Sequence, residues 1–351
     1  MKKIDLKSME LPEIKTLFGE MGEKPFRAGQ LYSWIHQKKA TEFQQMTNLS
    51  EDLRRRLAET CELSAFQIAD RQISKLDGTR KYAFLLSDGN IIESVYMKYR
   101  HGISVCISSQ AGCRMGCRFC ASTLDGLARN LTAGEMLEQI DAIERDAGER
   151  VSHVVVMGSG EPLDNKENLI RFLHLVSDEN GGGISQRNIT VSTCGLVPEI
   201  RELAGEKFAI TLALSLHAPN DALRRTMMPI ANRYTIAETL KACDFYFEQT
   251  GRRMSYEYSL VRGVNDRPEH ARELTGLLKG KNCHVNLIPV NPIKEREYRE
   301  TMAPDVDRFK KELEKSGINV TIRRRLGADI DSACGQLRRR IQRGEVRKEA
   351  E

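Results

Sequence analysis

The chain has 351 residues, 40% of them hydrophobic and 29% charged, enough to bury a large core as one main domain with an appendage. The opening MKKIDLKSMELPEIK lacks the apolar stretch of a signal peptide, the longest apolar run (FAITLALSL) is too short for a bilayer, and nine cysteines, an odd number, do not make a secreted disulfide framework. The net charge is only +5, but +4 of it falls in Ile322–Glu351, where nine Lys/Arg stand against five Asp/Glu, so its placement suggests a nucleic-acid partner as readily as a solvated tail.

The first 60 or so residues are expected to be helical: Leu11–Gly19, Pro25–Lys38 and Ser50–Cys61 carry apolar residues at three-to-four spacing. Pro25 suits a first helical position, and Asn48-Leu49-Ser50 offers cap residues. Trp34 belongs to the core of this small domain, and Arg54-Arg55-Arg56 to a solvated helix face. From about 66 to 108 the pattern turns to strands, with 80–86 and 91–97 alternating around the turn Ser87-Asp88-Gly89-Asn90 and 103–108 following. Thr132-Ala133-Gly134-Glu135 is a capping box opening a helix that runs to Asp146. Strands at 152–157, 188–192, 208–216, 254–261 and 283–288 then alternate with helices at 165–177, 197–204, 234–249, 267–279 and 304–316. With the strand at 103–108 these make six βα units, predicting an α/β fold with a parallel barrel or partial barrel.

The unusual motifs fall at the C-terminal ends of those strands, where barrel enzymes assemble active sites. Cys113, Cys117 and Cys120 form a C-x3-C-x2-C loop after the first strand. Three soft thiolates in one tight loop suit an iron–sulfur cubane with one iron left open. Zinc with a remote fourth ligand, or three unrelated core cysteines, are the alternatives. Met157-Gly-Ser-Gly-Glu-Pro-Leu163 follows the second strand and offers bare backbone and one carboxylate to a ligand's amino group. Ser192, then Ser215-Leu216-His217, Arg262–Asp266 and Pro289–Pro292 follow the next four, and Ser215 and His217 suit a ribose or carboxylate. Cys334, beside Gly335 and between two arginine clusters, is either a nucleophile or a buried structural thiol. Cys106, seven residues before the cysteine loop, is a candidate partner for Cys334, while Cys61, Cys194, Cys243 and Cys283 read as core.

With CxxxCxxC, MGSGEP, SLH, NPI and GADIDSACGQLR in order, the sequence resembles the RlmN/Cfr family of radical-SAM RNA adenine methyltransferases over nearly its whole length. The resemblance implies a partial (β/α)6 barrel over 101–320, a helical RNA-binding accessory domain over 1–65, a β-hairpin linker over 66–100, and a C-terminal segment over 321–351. It implies a [4Fe–4S] cluster on Cys113, Cys117 and Cys120, and S-adenosylmethionine, two per turnover, contacted by Gly160, Glu161, Ser192, Ser215, Leu216, His217 and Asn291. Cys334 corresponds to the cysteine that is methylated and transfers its methyl carbon to adenine, Cys106 to the thiol that closes a transient disulfide with it, and Glu93 to a proton acceptor. Pro162, Arg129-Asn-Leu-Thr132 and Arg338 match the branch acting on adenine carbon 2 of 23S rRNA and tRNA rather than the carbon-8 branch that confers drug resistance. An RNA-binding protein with a structural cluster is the alternative from another class. An electron donor such as flavodoxin or ferredoxin, a cytoplasmic location, no membrane, and a monomer complete the expectation.

Overall fold

The computed structural model of the chain describes residues 3–292, 297–330 and 335–342. Helices α1 (Leu11–Glu20), α2 (Pro25–His36) and α3 (Glu51–Thr60) form where the apolar spacing requires, burying Ile14, Phe18, Leu31, Ile35, Leu53 and Leu57. Pro25 is the first residue of α2, and Ser50 caps α3 by accepting the Leu53 N–H. Strands β1 (Ile4–Asp5) and β2 (Cys61–Glu62) pair in parallel and close this region on itself. Trp34 packs at the edge of the core with its indole N–H donated to Asn48 and Lys38 over its ring. The arginines of α3 are not simply solvated: Arg54 donates to the Gln44 carbonyl and Arg56 pairs with Glu23 and Asp52, leaving Arg55 as the exposed member.

A single ten-stranded sheet organises the remainder. Strands β3 (Gln67–Ile73), β4 (Arg80–Leu85) and β5 (Ile91–Tyr99) run antiparallel, and β5 pairs antiparallel with β6 (Gly102–Ile107). The short ribbon of β7 (Gln110–Gly112) and β8 (Leu127–Asn130) lies next, with the cysteine loop between its strands. From β6 onward the sheet is parallel: β9 (Val151–Val156), β10 (Ile189–Thr193), β11 (Thr211–Ser215), β12 (Met254–Leu260), β13 (Cys283–Pro289) and β14 (Asn319–Ile322). The helices after the ribbon are α4 (Ala133–Ala147), α5 (Lys166–Ser177), α6 (Val197–Gly205), α7 (Asp221–Met227), α8 (Ile236–Thr250), α9 (Pro268–Leu278), α10 (Ala303–Glu314) and α11 (Gln336–Gln342). The strand order β14-β13-β12-β11-β10-β9-β6-β5-β4-β3 leaves two free edges, so the barrel is partial.

Three features depart from the sequence expectation. Strand β14 adds a further parallel strand; its four residues, with only Val320 buried, are too few to show a period. Helix α7 carries two arginines in seven residues, and α11 reads QLRRRIQ, so charge hides the helical pattern in both. Strand pairing in β11 begins at Thr211, not 208, because Lys207 takes φ +55 and turns the chain. The capping box is as expected: Thr132 Oγ1 accepts the Glu135 N–H at 3.1 Å, and the Glu135 carboxylate accepts the Thr132 N–H at 2.9 Å.

The helical region is joined to the barrel by a buried ionic seam. Lys7 is fully buried and pairs with Glu138 and, at 2.9 Å, with Asp141, both on α4. Lys39 pairs with Glu144 of the same helix, and Arg145 with Glu138. His36 is buried beside this seam with its Nε2 unpartnered among the described residues; burial brings its pKa down to about 4. Among the described residues no helix is long and apolar enough to cross a membrane.

A candidate active site at the mouth of the barrel

Strand direction decides the site. The parallel strands β6 and β9–β13 all deliver their C-terminal ends to one side, where a cavity of about 360 Å³ opens. Its lining includes Cys106, Cys113, Cys117, Cys120, Gly160, Glu161, Ser192, Ser215, His217 and Asn291. Of the expected site residues, three are absent from that lining. Leu216 is wholly buried beneath it, Glu93 sits behind it on β5, and Cys334 lies outside the described residues.

The cysteine loop is held by its own backbone and by α7: Cys113 N–H donates to Gly126 O, Arg118 N–H to Met227 O, and Thr123 Oγ1 to the carbonyls of Cys117 and Cys120. Arg114 reaches across to Asp164, tying the loop to the turn after β9. Burial pushes the Cys113 thiol up to about 12 and, with the neighbouring Cys120 and Cys113, the Cys117 thiol well above its ordinary range. Among the described residues no three His, Cys, Asp or Glu converge tightly enough to hold a single ion. The donor set, three soft thiols on one loop facing one cavity, fits a cubane with three of its irons each bound by a different cysteine and one left open.

The turn after β9 packs tightly on the end of β6. Gly160 has φ +107, and a Cβ there would lie 2.6 Å from Gln110 Cβ, so no other residue fits without moving the ribbon. Glu161 is buried and braces two loops, accepting the Leu163 N–H at 3.1 Å and the Cys194 N–H at 2.7 Å; burial raises its pKa. Side-chain hydrogen bonds from Thr193 and Cys194 also reach this carboxylate. Ser192 and Ser215 stand 3.3 Å apart at the ends of β10 and β11. His217 takes φ +57, a strained conformation for a non-glycine residue, and accepts the Ser259 N–H at Nδ1, 2.9 Å away. Its Nε2 therefore carries the proton, and burial, aided by Arg224, lowers the ring's pKa to about 3, keeping it a neutral donor. Phe119, inside the cysteine loop, meets the ring edge-on at 4.7 Å.

Sequence reasoning missed the residues that hold this arrangement. Arg224 of α7 is fully buried and donates to the carbonyls of Cys194, Ser215 and Leu216, joining the ends of two strands. Asn265, also fully buried, donates to the carbonyls of His217 and Ser259 and accepts the Val261 N–H. Cys194, read as core, is buried but lines the cavity. The basic run Arg323-Arg324-Arg325 lines the cavity with Tyr99 and Glu300 facing it. Beyond that run the chain is latched to the β3–β4 turn: Gly327 N–H donates to Asp77 at 2.8 Å, and Asp329 accepts from Ser74 Oγ at 2.6 Å and Lys75 N–H at 2.8 Å.

An open α/β barrel with a three-thiol loop on its first strand, facing a polar cleft at the strand ends, is the architecture of a radical-SAM enzyme. Residues 107–275 match the radical SAM superfamily, and residues 4–63 match the ribosomal RNA large subunit methyltransferase N-terminal domain. The chain is 63% identical over 334 residues to a probable dual-specificity RNA methyltransferase RlmN of Lachnospira eligens, covering 95% of each chain. It is 60% identical over 338 residues to the protein of the same description from Lachnoclostridium phytofermentans, covering 96% of this chain and 95% of that one. The crystal structure of a radical SAM methyltransferase from Sphaerobacter thermophilus superposes with a TM-score of 0.91 at 42% identity, covering 95% of this chain and 98% of the other. The chain belongs to the RlmN family of radical-SAM methyltransferases. Membership implies S-adenosylmethionine and an iron–sulfur cluster as its cofactors.

Proposed function

We propose that the chain methylates carbon 2 of an adenine in 23S rRNA and of the adenine 3′ of the anticodon in tRNA, with Cys334 carrying the methyl group. The observation that supports this reading most is the convergence of three thiols, the Gly160–Glu161 turn, Ser192, Ser215, His217 and Cys106 on one cavity. Cys113, Cys117 and Cys120 are the residues that would hold a [4Fe–4S] cluster, which would supply the one-electron chemistry for cleaving S-adenosylmethionine, with a flavodoxin- or ferredoxin-like protein as the electron donor. Gly160 and Glu161 would receive the amino group of that cofactor, the Ser192–Ser215 pair and the neutral His217 donor its ribose or carboxylate, and Asn291 closes the same rim. Leu216 is suited to act through its backbone, since its side chain is buried.

Two molecules of S-adenosylmethionine serve each turnover in this reading: one supplies the methyl group to Cys334, the other activates it. Cys106, on β6 and paired in register with Val95, lines the same cavity and in this reading closes a transient disulfide with Cys334 that frees the product. The target base must leave its stack to reach a barrel mouth. The arginines at 323–325 are placed to meet the flanking phosphates, and the helical region over 1–65 serves as an accessory RNA-binding domain. A monomer working in a reducing cytoplasm is part of the same proposal.

The test is nucleoside fragmentation by mass spectrometry after incubating anaerobically loaded enzyme with 23S rRNA fragments and tRNA. 2-Methyladenosine is expected; 8-methyladenosine would move the chain to the carbon-8 branch, and no methylated adenosine would leave an RNA-binding protein with a structural cluster. Cys106→Ala is expected to trap a protein–RNA adduct that survives a denaturing gel.

A further inference from the structure

Glu93 shares its carboxylate between a buried lysine and the chain beside Cys334. It lies on β5 with 3% of its surface exposed, and both of its oxygens are engaged. Oε2 accepts the Gly335 N–H at 2.5 Å and meets the Lys81 ammonium at 2.8 Å; Oε1 accepts the Arg338 N–H at 2.7 Å. The carboxylate thus satisfies backbone donors at the start of α11 that have no intrahelical acceptor. Lys81, diagonally across on β4 where Val95 is its register partner, has none of its surface exposed. A lysine so placed is tolerated only with a partner, and a carboxylate buried among β4, β5 and α11 needs a counter-ion in turn.

The same short segment is fixed from two other directions. Leu337 is fully buried against Ala83 and Ile91, and Arg338 pairs with Asp125 at 2.8 Å. Gly335 takes φ +81, and a Cβ there would come within 3.0 Å of Ala121, the residue after the third loop cysteine. Residue 335 is therefore seated directly on the cysteine loop.

We infer that Lys81 is a positioning residue for the methyl-carrying segment: by neutralising the buried Glu93 carboxylate it keeps both Gly335 and Arg338 amides held, and so fixes the chain next to Cys334 against the cysteine loop. The inference rests on the proposed role of Cys334. Removing the ammonium while keeping its apolar stem leaves an uncompensated carboxylate, and the cap it makes is lost with it.

The experiment compares wild type, Lys81→Met and Lys81→Arg. Hydrogen exchange on the protein as purified is expected to show peptides over 335–342 exchanging at least tenfold faster in Lys81→Met, with β4 and β5 peptides retaining their protection and Lys81→Arg restoring most of the difference. In loaded enzyme Lys81→Met is expected to lower kcat for RNA methylation at least tenfold with KM for RNA within about twofold. Unchanged exchange over 335–342, or Lys81→Arg no better than Lys81→Met, would overturn the inference. So would faster exchange accompanied by a full methylation rate, provided that Cys334→Ala abolishes methylation. Should Cys334→Ala methylate normally, it is the carrier reading that fails, and the exchange data still report on the clamp itself. Loss of protection across β4 and β5 as well would show Lys81 to be a general stability residue and would equally overturn the proposal.

Discussion

The two ends of the chain are fastened to the barrel in opposite ways. At the N-terminal end the attachment is a buried seam of side-chain charges, with Lys7 and Lys39 set against Glu138, Asp141 and Glu144 along one face of α4. At the C-terminal end carboxylates grip backbone amides, Asp77 on Gly327, Asp329 on Lys75, and Glu93 on Gly335 and Arg338, beside the Arg338–Asp125 pair and the buried Leu337. The seam couples two folded bodies and is costly to open, because each charge left behind is stranded without water. The C-terminal grips are few and local, and they fix position more than they add stability. Under the proposed function, in which Cys334 meets different partners in turn, the second kind of fastening suits the segment that carries it.

The sharpest test of that contrast is Cys334→Ala. It is expected to reduce RNA methylation by at least about a thousandfold, the scale of losing an essential covalent group. Iron content and melting temperature should match wild type; a comparable loss of either would mean that the C-terminal segment carries stability after all. Lys7→Met attacks the other end. Breaking one partner of a buried ion pair costs about 3–5 kcal/mol, to be read as a lowered denaturant midpoint, while methylation per folded molecule stays near normal. If the midpoint does not move, the seam is not the fastening it looks to be.

Acidification probes the same seam through His36. Its pKa in the folded chain is about 4, below the ordinary value of 6.5, because burial penalises the charged ring. The unfolded chain therefore takes up a proton first as pH falls, and stability present above pH 6.5 is lost as pH drops through 4. The full loss is on the order of 3 kcal/mol. Between pH 7 and pH 4 the wild type should lose stability relative to His36→Phe as the pH falls; a difference in melting temperature that does not change with pH would remove His36 from the account. The smallest effect on stability is expected from Asp77→Asn, which loosens the latch on Gly327: a melting temperature within about 2 °C of wild type, but faster alkylation of Cys334. Equal alkylation rates would show that the latch does not constrain the segment.

Local signals were legible where one short stretch of chain carries the whole physical reason. The capping box Thr132–Glu135 needs only its own residues, and so do Pro25 at the start of α2 and Ser50 before α3. The cysteine loop belongs here too, since its ligand spacing lies within eight residues. The three arginines of α3 show the limit: nothing in their sequence tells Arg56, which pairs with Glu23 some thirty residues away, from exposed Arg55. The same holds for α11, whose charges suggest a tail although Leu337 seats it on β4 and β5.

By itself, the sequence determined the alternation of strands and helices, the three-thiol loop, and the placement of the unusual motifs after successive parallel strands. Periodicity, capping and ligand spacing are short-range properties, and the right-handed βα rule turns them into one functional face. Only the tertiary structure decided which buried polar groups hold that face together. Arg224 joins Cys194 to Ser215 and Leu216, Asn265 props the strained His217, and Lys81 meets Glu93 across β4 and β5. A buried charge or amide is admitted only when its partners surround it, and those partners sit on separate strands, turns and helices that only the folded chain brings together.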